Sequence, residues 1–418
     1  MDILDYSFTN GVNKIMKIGL VITNFAESSL SLMEALSMAG HCVDLYYITA
    51  DTHFNKIAAF EFDTAKRIWG GVYEINYEKS RGVSFCNNNR KTRIYVYQAP
   101  IIGDKKNGLS HIIAKIIFFA FASIYFLPFI KKQKYDCVDI ISQSGTLLGL
   151  HKRLAKTPLV FSFHEVLFSH FENINILPVV KNAISNNENI RFFSEKSYND
   201  VMNLWGNDNC KYRHFIIPFG VFNVYKDFGN DVKIPLIEKL ENYILFFGFI
   251  RPYKGLPLLY QAISTIHKYG FNVHVVVAGS GSDPCLSRMI DNPNFTIINR
   301  FINNDETAYL MKRCRFVVCP YKSISQSGIP QTAFAFDKPI AASNIGVFSE
   351  LIGNNERGIL FDINNMDEMV TAIMRLYNDD VFYSSCCANI KDLKNTCSKY
   401  SWGTIVKDYE DMVKTLRQ

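Results

Sequence analysis

Short runs of continuous apolar residues alternate with helix-like stretches from Met16 to the end of the chain, and this alternation restricts the fold more than any other feature. Ile18-Gly19-Leu20-Val21-Ile22 has no polar position, so a strand there must be covered on both faces, and a helix follows across Leu30 to Met38. Val43 to Ile48, Val138 to Ile141, Leu159 to Phe163, Ile190 to Phe193 and Phe215 to Pro218 repeat the pattern. Residues 71–98 read instead as a meander of short strands, broken at Asn87-Asn88-Asn89. Between Gly220 and Glu241 the periodicity stops, and Gly229-Asn230-Asp231 and Pro235 mark an interdomain linker. A second series starts at Tyr243 to Phe247 and continues through Val273 to Ala278, Phe295 to Ile298, Phe316 to Cys319, Ile340 to Ala342 and Gly358 to Phe361. The chain closes on an amphipathic helix, Trp402 to Leu416, with Ile405, Tyr409, Met412 and Leu416 at helical spacing. The expected class is α/β, with two Rossmann-like domains in tandem over 16–222 and 236–400 and a C-terminal helix over 401–418. Ligands of such sheets sit beyond the carboxyl ends of the strands.

Composition excludes several alternatives. With 418 residues, 48% hydrophobic and 20% charged, the chain can bury a large core, so disorder is not its main state. The formal charge of +6, from 45 basic and 39 acidic residues, is too small to name nucleic acid as a partner. Ten cysteines form no Cys-x-x-Cys pair and no Cys/His cluster of zinc spacing; they read as buried thiols in a reducing cytoplasm. The first strand–helix turn, Thr23-Asn24-Phe25-Ala26-Glu27, lacks Gly-x-Gly-x-x-Gly, which disfavours a dehydrogenase. The P-loop pattern is missing as well. Met1 to Lys14 has no apolar signal core and is expected to extend outside the fold.

The chemistry concentrates in the second half. In Phe246-Phe247-Gly248-Phe249-Ile250-Arg251-Pro252-Tyr253-Lys254-Gly255-Leu256, a strand stops at a glycine and two cations precede a helix. Cations are unfavourable at the positive end of a helix, so a bound anion, most suitably a diphosphate, accounts for them. Val277-Ala278-Gly279-Ser280-Gly281 ends the next strand in a flexible turn, and Asn299-Arg300-Phe301-Ile302 follows the one after. By themselves these two read as ordinary strand ends, although Arg300 and Phe301 could flank a nucleobase. Ser325-Gln326-Ser327-Gly328-Ile329-Pro330 then links a strand to a short helix.

With these motifs in this order, the chain resembles the family 4 glycosyltransferases from about Met16 to Trp402, best from Phe246 to Asp362. The resemblance implies the GT-B fold, two Rossmann-like domains facing across a cleft with the last helix packing back toward the first. It also implies retention of anomeric configuration. It places the donor diphosphate on Arg251 and Lys254, with Gly248, Gly279, Arg300, Phe301 and the loop Ser325, Gln326, Ser327 and Gly328 around the donor. Many members carry Glu-x7-Glu here; this chain has Ser325 at the first place and Thr332 or Ala333 at the second, matching a Ser-Gln-Ser-Gly variant. In the first domain, His164 follows the strand Val160 to Phe163, where the resemblance implies a histidine near the reacting sugar carbon. Asp-x-Asp is absent, so an enzyme independent of metal and cofactor is expected, using a UDP- or GDP-type sugar donor. Expected partners are that donor and a glycan or lipid-linked acceptor in bacterial surface polysaccharide (lipopolysaccharide or capsule) synthesis, with no nucleic acid. A nucleotide-sugar 2-epimerase and a non-catalytic nucleotide-sugar-binding protein are the alternatives. The lack of acidic groups in the donor loop counts against the first.

Charge is uneven along the chain. Residues 1–230 hold 25 Lys and Arg against 20 Asp and Glu, and much of the excess lies in 105–134. Lys105, Lys106, Lys115, Lys131, Lys132 and Lys134 bracket the uncharged run Ile116 to Ile130, rich in Ile and Phe. Its 15 residues fall short of the roughly 20 that span a bilayer. A buried helix and an interfacial helix on anionic lipid are both consistent with it, the latter placing the protein in the cytoplasm at the inner face of the plasma membrane.

Overall fold

The computed structural model describes residues 14–50, 56–57, 60–61, 64–76, 92–100, 109–142, 147, 149–150, 154, 157–164, 166, 177–186, 188–205, 213–230, 232–324, 326–395 and 398–418. The chain divides into two compact units, Met1–Gly220 with Lys399–Gln418, and Val221–Ser398.

In the first unit the strands are β1 (Lys17–Ile22), β2 (Cys42–Thr49), β3 (Lys56–Ile57), β4 (Phe60–Glu61), β5 (Thr64–Trp69), β6 (Val72–Asn76), β7 (Arg93–Gln98), β8 (Cys137–Ile141), β9 (Leu159–Phe163), β10 (Ile190–Phe192) and β11 (His214–Ile216). Nine of them form one sheet in the order β11-β10-β9-β8-β1-β2-β7-β6-β5, parallel from β11 to β7 and antiparallel at β6 and β5. The central strands are buried at nearly every position because helices cover both faces, which is why their sequences do not alternate. The meander expected over 71–98 is β6 and β7; residues 77–91, with Asn87 to Asn89, lie outside the described residues.

The helix Trp402–Leu416 belongs to this unit. Its buried face joins the sheet through polar contacts as well as packing. His41 Nε2 and Glu410 Oε1 are 2.9 Å apart, and the Tyr409 hydroxyl donates to Asp139 at 3.1 Å. Asp139, wholly buried on β8, also accepts from Ser162 at 2.6 Å and pairs with Arg191 at 3.1 Å. Burial holds the Asp139 carboxyl above the usual carboxylate range, against the pull of Arg191, Ser162 and Tyr409.

The second unit has six parallel strands, β12 (Ile244–Phe247), β13 (Val275–Ala278), β14 (Phe295–Ile298), β15 (Phe316–Cys319), β16 (Ile340–Ser343) and β17 (Gly358–Phe361). Their order is β14-β13-β12-β15-β16-β17. Strand order therefore reverses between β12 and β15, the switch point where doubly wound sheets open a crevice. The stretch read as a linker is folded: Asn223–Asp227 forms a 3₁₀ turn in the second unit, and Lys312 Nζ donates to the Phe228 carbonyl at 2.9 Å. Its order comes from tertiary contacts, which local periodicity does not register.

Candidate active site

At the switch point of the second unit the loops leaving β12, β13 and β15 are laced together through their backbones. Gly248 N–H donates to the Ala278 carbonyl at 2.9 Å, and Ile250 N–H to the Ser280 carbonyl at 2.9 Å. Two glycines permit the contact. A Cβ on Gly279 (φ 148°) would lie 2.0 Å from the Gly248 oxygen, and one on Gly255 (φ 70°) 1.9 Å from the Pro320 oxygen. Gly255 also starts the helix Leu256–Lys268, where Leu258 and Leu259 N–H donate back to the Gly255 carbonyl at 3.0 and 3.2 Å and Pro257 has no N–H.

Lys254 ends the 3₁₀ turn Pro252–Lys254, and only 6% of its surface is exposed. Its ammonium stands 5.2 Å from the centre of the Tyr321 ring and next to Gly248, where an added Cβ would come within 2.9 Å of Nζ. Among the described residues it has no ion pair. Burial, and less strongly the charge of Arg251, pushes its pKa down to about 8. Arg251 itself is exposed on extended backbone. A buried cation without an ion pair has the chemistry to hold an anion.

The other expected donor residues divide. Gln326 and Ser327 are buried beside the start of the helix Ile329–Ala335. Their oxygens brace their own loop: Ser327 Oγ accepts from Ile329 N–H at 3.2 Å and Gln326 Oε1 from Ser327 N–H at 3.3 Å. That leaves the Ser327 hydroxyl proton as a donor. Gly328 closes the loop against the ring of Phe222, which an added Cβ would meet at 2.9 Å. Ser325 lies outside the described residues. Arg300 makes a two-pronged contact with Glu306 at 2.6 and 2.8 Å, and Glu306 completes the capping box of the helix Asn304–Arg313. Its guanidinium is thus committed to the protein, while Phe301 is 60% exposed. Gln331, unforeseen in the sequence, buries an Oε1 that has no hydrogen-bond partner among the described residues.

In the first unit His164 leaves the carboxyl end of β9 within an aromatic cluster. Its ring lies parallel to Phe25 at 4.0 Å, with Phe219 at 5.1 Å and Phe193 at 6.2 Å. The residue as a whole is half-buried, but Nδ1 is fully shielded and has no hydrogen-bond partner among the described residues. Burial pushes the imidazole pKa down to about 3, so the ring is neutral at physiological pH. Phe25 occupies the β1–helix turn with φ 61°, a left-handed conformation rare for an aromatic residue and characteristic of strained functional turns. A sequence signal existed, an aromatic residue where such turns usually carry glycine, but only the fold brings it to His164.

One further surface stands out. Leu109–Phe121, a π-helical turn Ala122–Phe126 and Leu127–Gln133 form a continuous helical stretch, longer than the uncharged run suggested. The span Ile112–Gln133 is long and apolar enough to cross a membrane. One stripe of it, including Phe118, Ala122, Phe126 and Ile130, is built into the core of the first unit. The opposite stripe exposes Ile112, Ile113, Ile116, Ile117, Phe121 and Ile124. Lys131, Lys132 and Lys134 are exposed at its end; Lys105 and Lys106 lie outside the described residues.

Residues 241–379 match the family described as Glycosyl transferases group 1. An uncharacterized glycosyltransferase of Methanocaldococcus jannaschii is 27% identical over 244 residues, 56% of this chain and 62% of that protein. The GDP-mannose:glycolipid 4-beta-D-mannosyltransferase of Xanthomonas campestris is 24% identical over 117 residues, 26% of this chain and 33% of that enzyme. The chain therefore spans less than two thirds of the length of either curated relative. Among solved structures, sucrose-phosphate synthase of Thermosynechococcus elongatus superposes with a TM-score of 0.64 at 15% identity, covering 96% of this chain and 99% of the other. Anabaena HepE, solved with UDP and glucose, gives 0.62 at 14% identity, covering 96% and 100%. Residues 241–379 thus match the group 1 glycosyltransferases, and the chain shares the two-domain GT-B fold of these solved structures.

Proposed function

We propose that the protein is a retaining glycosyltransferase that moves a hexosyl-type sugar from a UDP- or GDP-linked donor to a glycan or lipid-linked saccharide. The observation that carries this reading is the buried, unpaired Lys254 ammonium at the switch point of the donor-side sheet. When the bond from the sugar carbon to the diphosphate breaks, negative charge gathers on the leaving oxygen. Lys254, Arg251 and the N-terminus of the helix Leu256–Lys268 are positioned to offset it without a metal ion. Gly248 keeps the space above Nζ open. His164, uncharged, serves as a hydrogen-bond partner to a sugar hydroxyl rather than as an acid. Two relatives bear on substrate class: the Xanthomonas enzyme is named for GDP-mannose and a glycolipid, and HepE was solved with UDP-glucose.

The apolar stripe with its lysines supports a role at the cytoplasmic face of the plasma membrane, in surface polysaccharide synthesis. The stripe is only half of the helix, and the other half is core, so the helix rests on a lipid surface rather than spanning it. The 2-epimerase reading is disfavoured because Ser323 to Phe336 contains no acidic residue for proton transfer. Labelled UDP- and GDP-sugars incubated with membrane extract test the proposal. Label in a glycolipid or glycan supports it; label only in an isomerised nucleotide sugar overturns it. Lys254→Ala should lower kcat/KM by about 10²–10³, as loss of a leaving-group stabiliser does, and near-normal turnover would remove Lys254 from the mechanism.

A further inference from the structure

The first unit holds a cavity of about 370 Å³ beside the apolar helix, lined by residues that include Ala50, Arg67, Tyr73, Tyr97, Phe121 and Tyr125. It lies at the edge of the sheet away from His164, between the β5–β6 hairpin and the helix. Its chemistry is two-sided. Tyr97 is 1% exposed, and its hydroxyl has no hydrogen-bond partner among the described residues. The ring is stacked on Phe126 at 4.7 Å, so it cannot swing out to water. A buried phenol left without a partner is costly and calls for a ligand acceptor or a water. Arg67 is exposed at the same cavity and ties only its Nε to the Gly70 carbonyl, at 2.7 Å; it has no ion pair among the described residues.

The cavity also borders apolar surface. Phe121 is 43% exposed and belongs to both the cavity wall and the outward stripe of the helix. Trp69 and Ile68, 54% and 40% exposed, project from the hairpin, and the Trp69 ring stands 6.4 Å from Tyr125. A polar hollow with one cation and one unmet phenol therefore meets an apolar strip flanked by an exposed tryptophan, a residue that favours membrane interfaces.

We propose that this cavity binds the phosphate-bearing headgroup of a single lipid, whose hydrocarbon chain lies along Phe121 and the neighbouring isoleucines. Arg67 pairs with the phosphate and Tyr97 donates to an oxygen of the headgroup. The volume falls in the range of small-ligand sites. The inference rests on the reading of the helix as a membrane-surface element, but the two fail separately.

The test uses the full-length protein and dihexanoyl phosphatidylglycerol below its micelle concentration, titrated by calorimetry. The wild type should bind one equivalent. Ala50→Trp, which fills the mouth from an exposed position, and Arg67→Gln should each weaken binding about tenfold or more, the worth of one charge-assisted contact. Tyr97→Phe should weaken it several-fold. Melting curves confirm folding, and Arg67→Gln, an exposed change, stands in if Ala50→Trp does not fold. Sedimentation with phosphatidylglycerol vesicles separates the two readings. Ile116→Ser with Ile117→Ser should abolish sedimentation yet leave the short lipid bound. Wild-type protein that sediments but does not bind the short lipid, or binds it equally well as Ala50→Trp or Arg67→Gln, overturns the cavity proposal. Inorganic phosphate binding as tightly as the short lipid overturns it too, because the ligand would then be a soluble anion.

Discussion

At the residue scale, Lys254 is a buried cation held at the expense of stability. A lysine whose pKa is near 8 in the folded protein and 10.5 in the unfolded chain binds its proton less tightly when folded. Its penalty is complete below pH 8 and is relieved as pH rises from about 8 toward 10.5, where the unfolded chain holds the extra proton. At neutral pH the cost is up to about 3 kcal/mol. Lys254→Met should therefore raise the Tm of the free protein at pH 7 while destroying affinity for UDP and GDP; a lowered Tm would show that the ammonium has a partner in the free protein. With Lys254 holding the donor diphosphate as proposed, nucleotide affinity should fall above about pH 8 by up to tenfold per unit, measurable by titration calorimetry at pH 7 and 9. His164, pushed down to about 3, adds no limb to that profile between pH 5 and 9. The two cations at 251 and 254 were legible in the sequence because they contradict the helix dipole. Arg300 has an equally suggestive place, yet its pairing with Glu306 depends on a capping box that forms only with the helix Asn304–Arg313.

At the element scale, the buried polar network links β8, β9, β10 and the C-terminal helix. Asp139 gathers Arg191, Ser162 and Tyr409 from three other elements, so no local pattern announces it. Arg191 also lies 4.4 Å from the centre of the Phe193 ring, beneath the aromatic cluster around His164. Arg191→Met should cost about 3–5 kcal/mol in urea unfolding, because it strands a buried carboxylate. Adding Asp139→Leu should recover most of that loss, and a double variant no better than the single one would mean that packing, not charge, holds the junction. The helical stretch 109–133 behaves in a related way. Fifteen uncharged residues were visible, and so were the lysines that bracket them. Which stripe enters the core was not visible, because an all-apolar helix has no polar face to mark the outside.

At the scale of the whole molecule, each unit has its own hydrophobic core. Nucleotide should therefore stabilise the unit containing Lys254 first, by RT ln(1 + [L]/Kd), and calorimetry with UDP or GDP should move that unfolding transition more than the other. Equal shifts in both would show that the units unfold as one. The strand alternation and the amphipathic closing helix were written in local sequence, since burial on both faces demands unbroken apolar strands and helical spacing marks one apolar face. Tertiary structure alone decided the rest. It set the 3-2-1-4-5-6 strand order that brings the loops after β12 and β15 together, and it folded the supposed linker. It also stacked Phe25 on His164 and hollowed a cavity beside Tyr97. Each of these joins residues far apart in the chain, and their meeting depends on strand register and packing that no window of neighbouring residues contains.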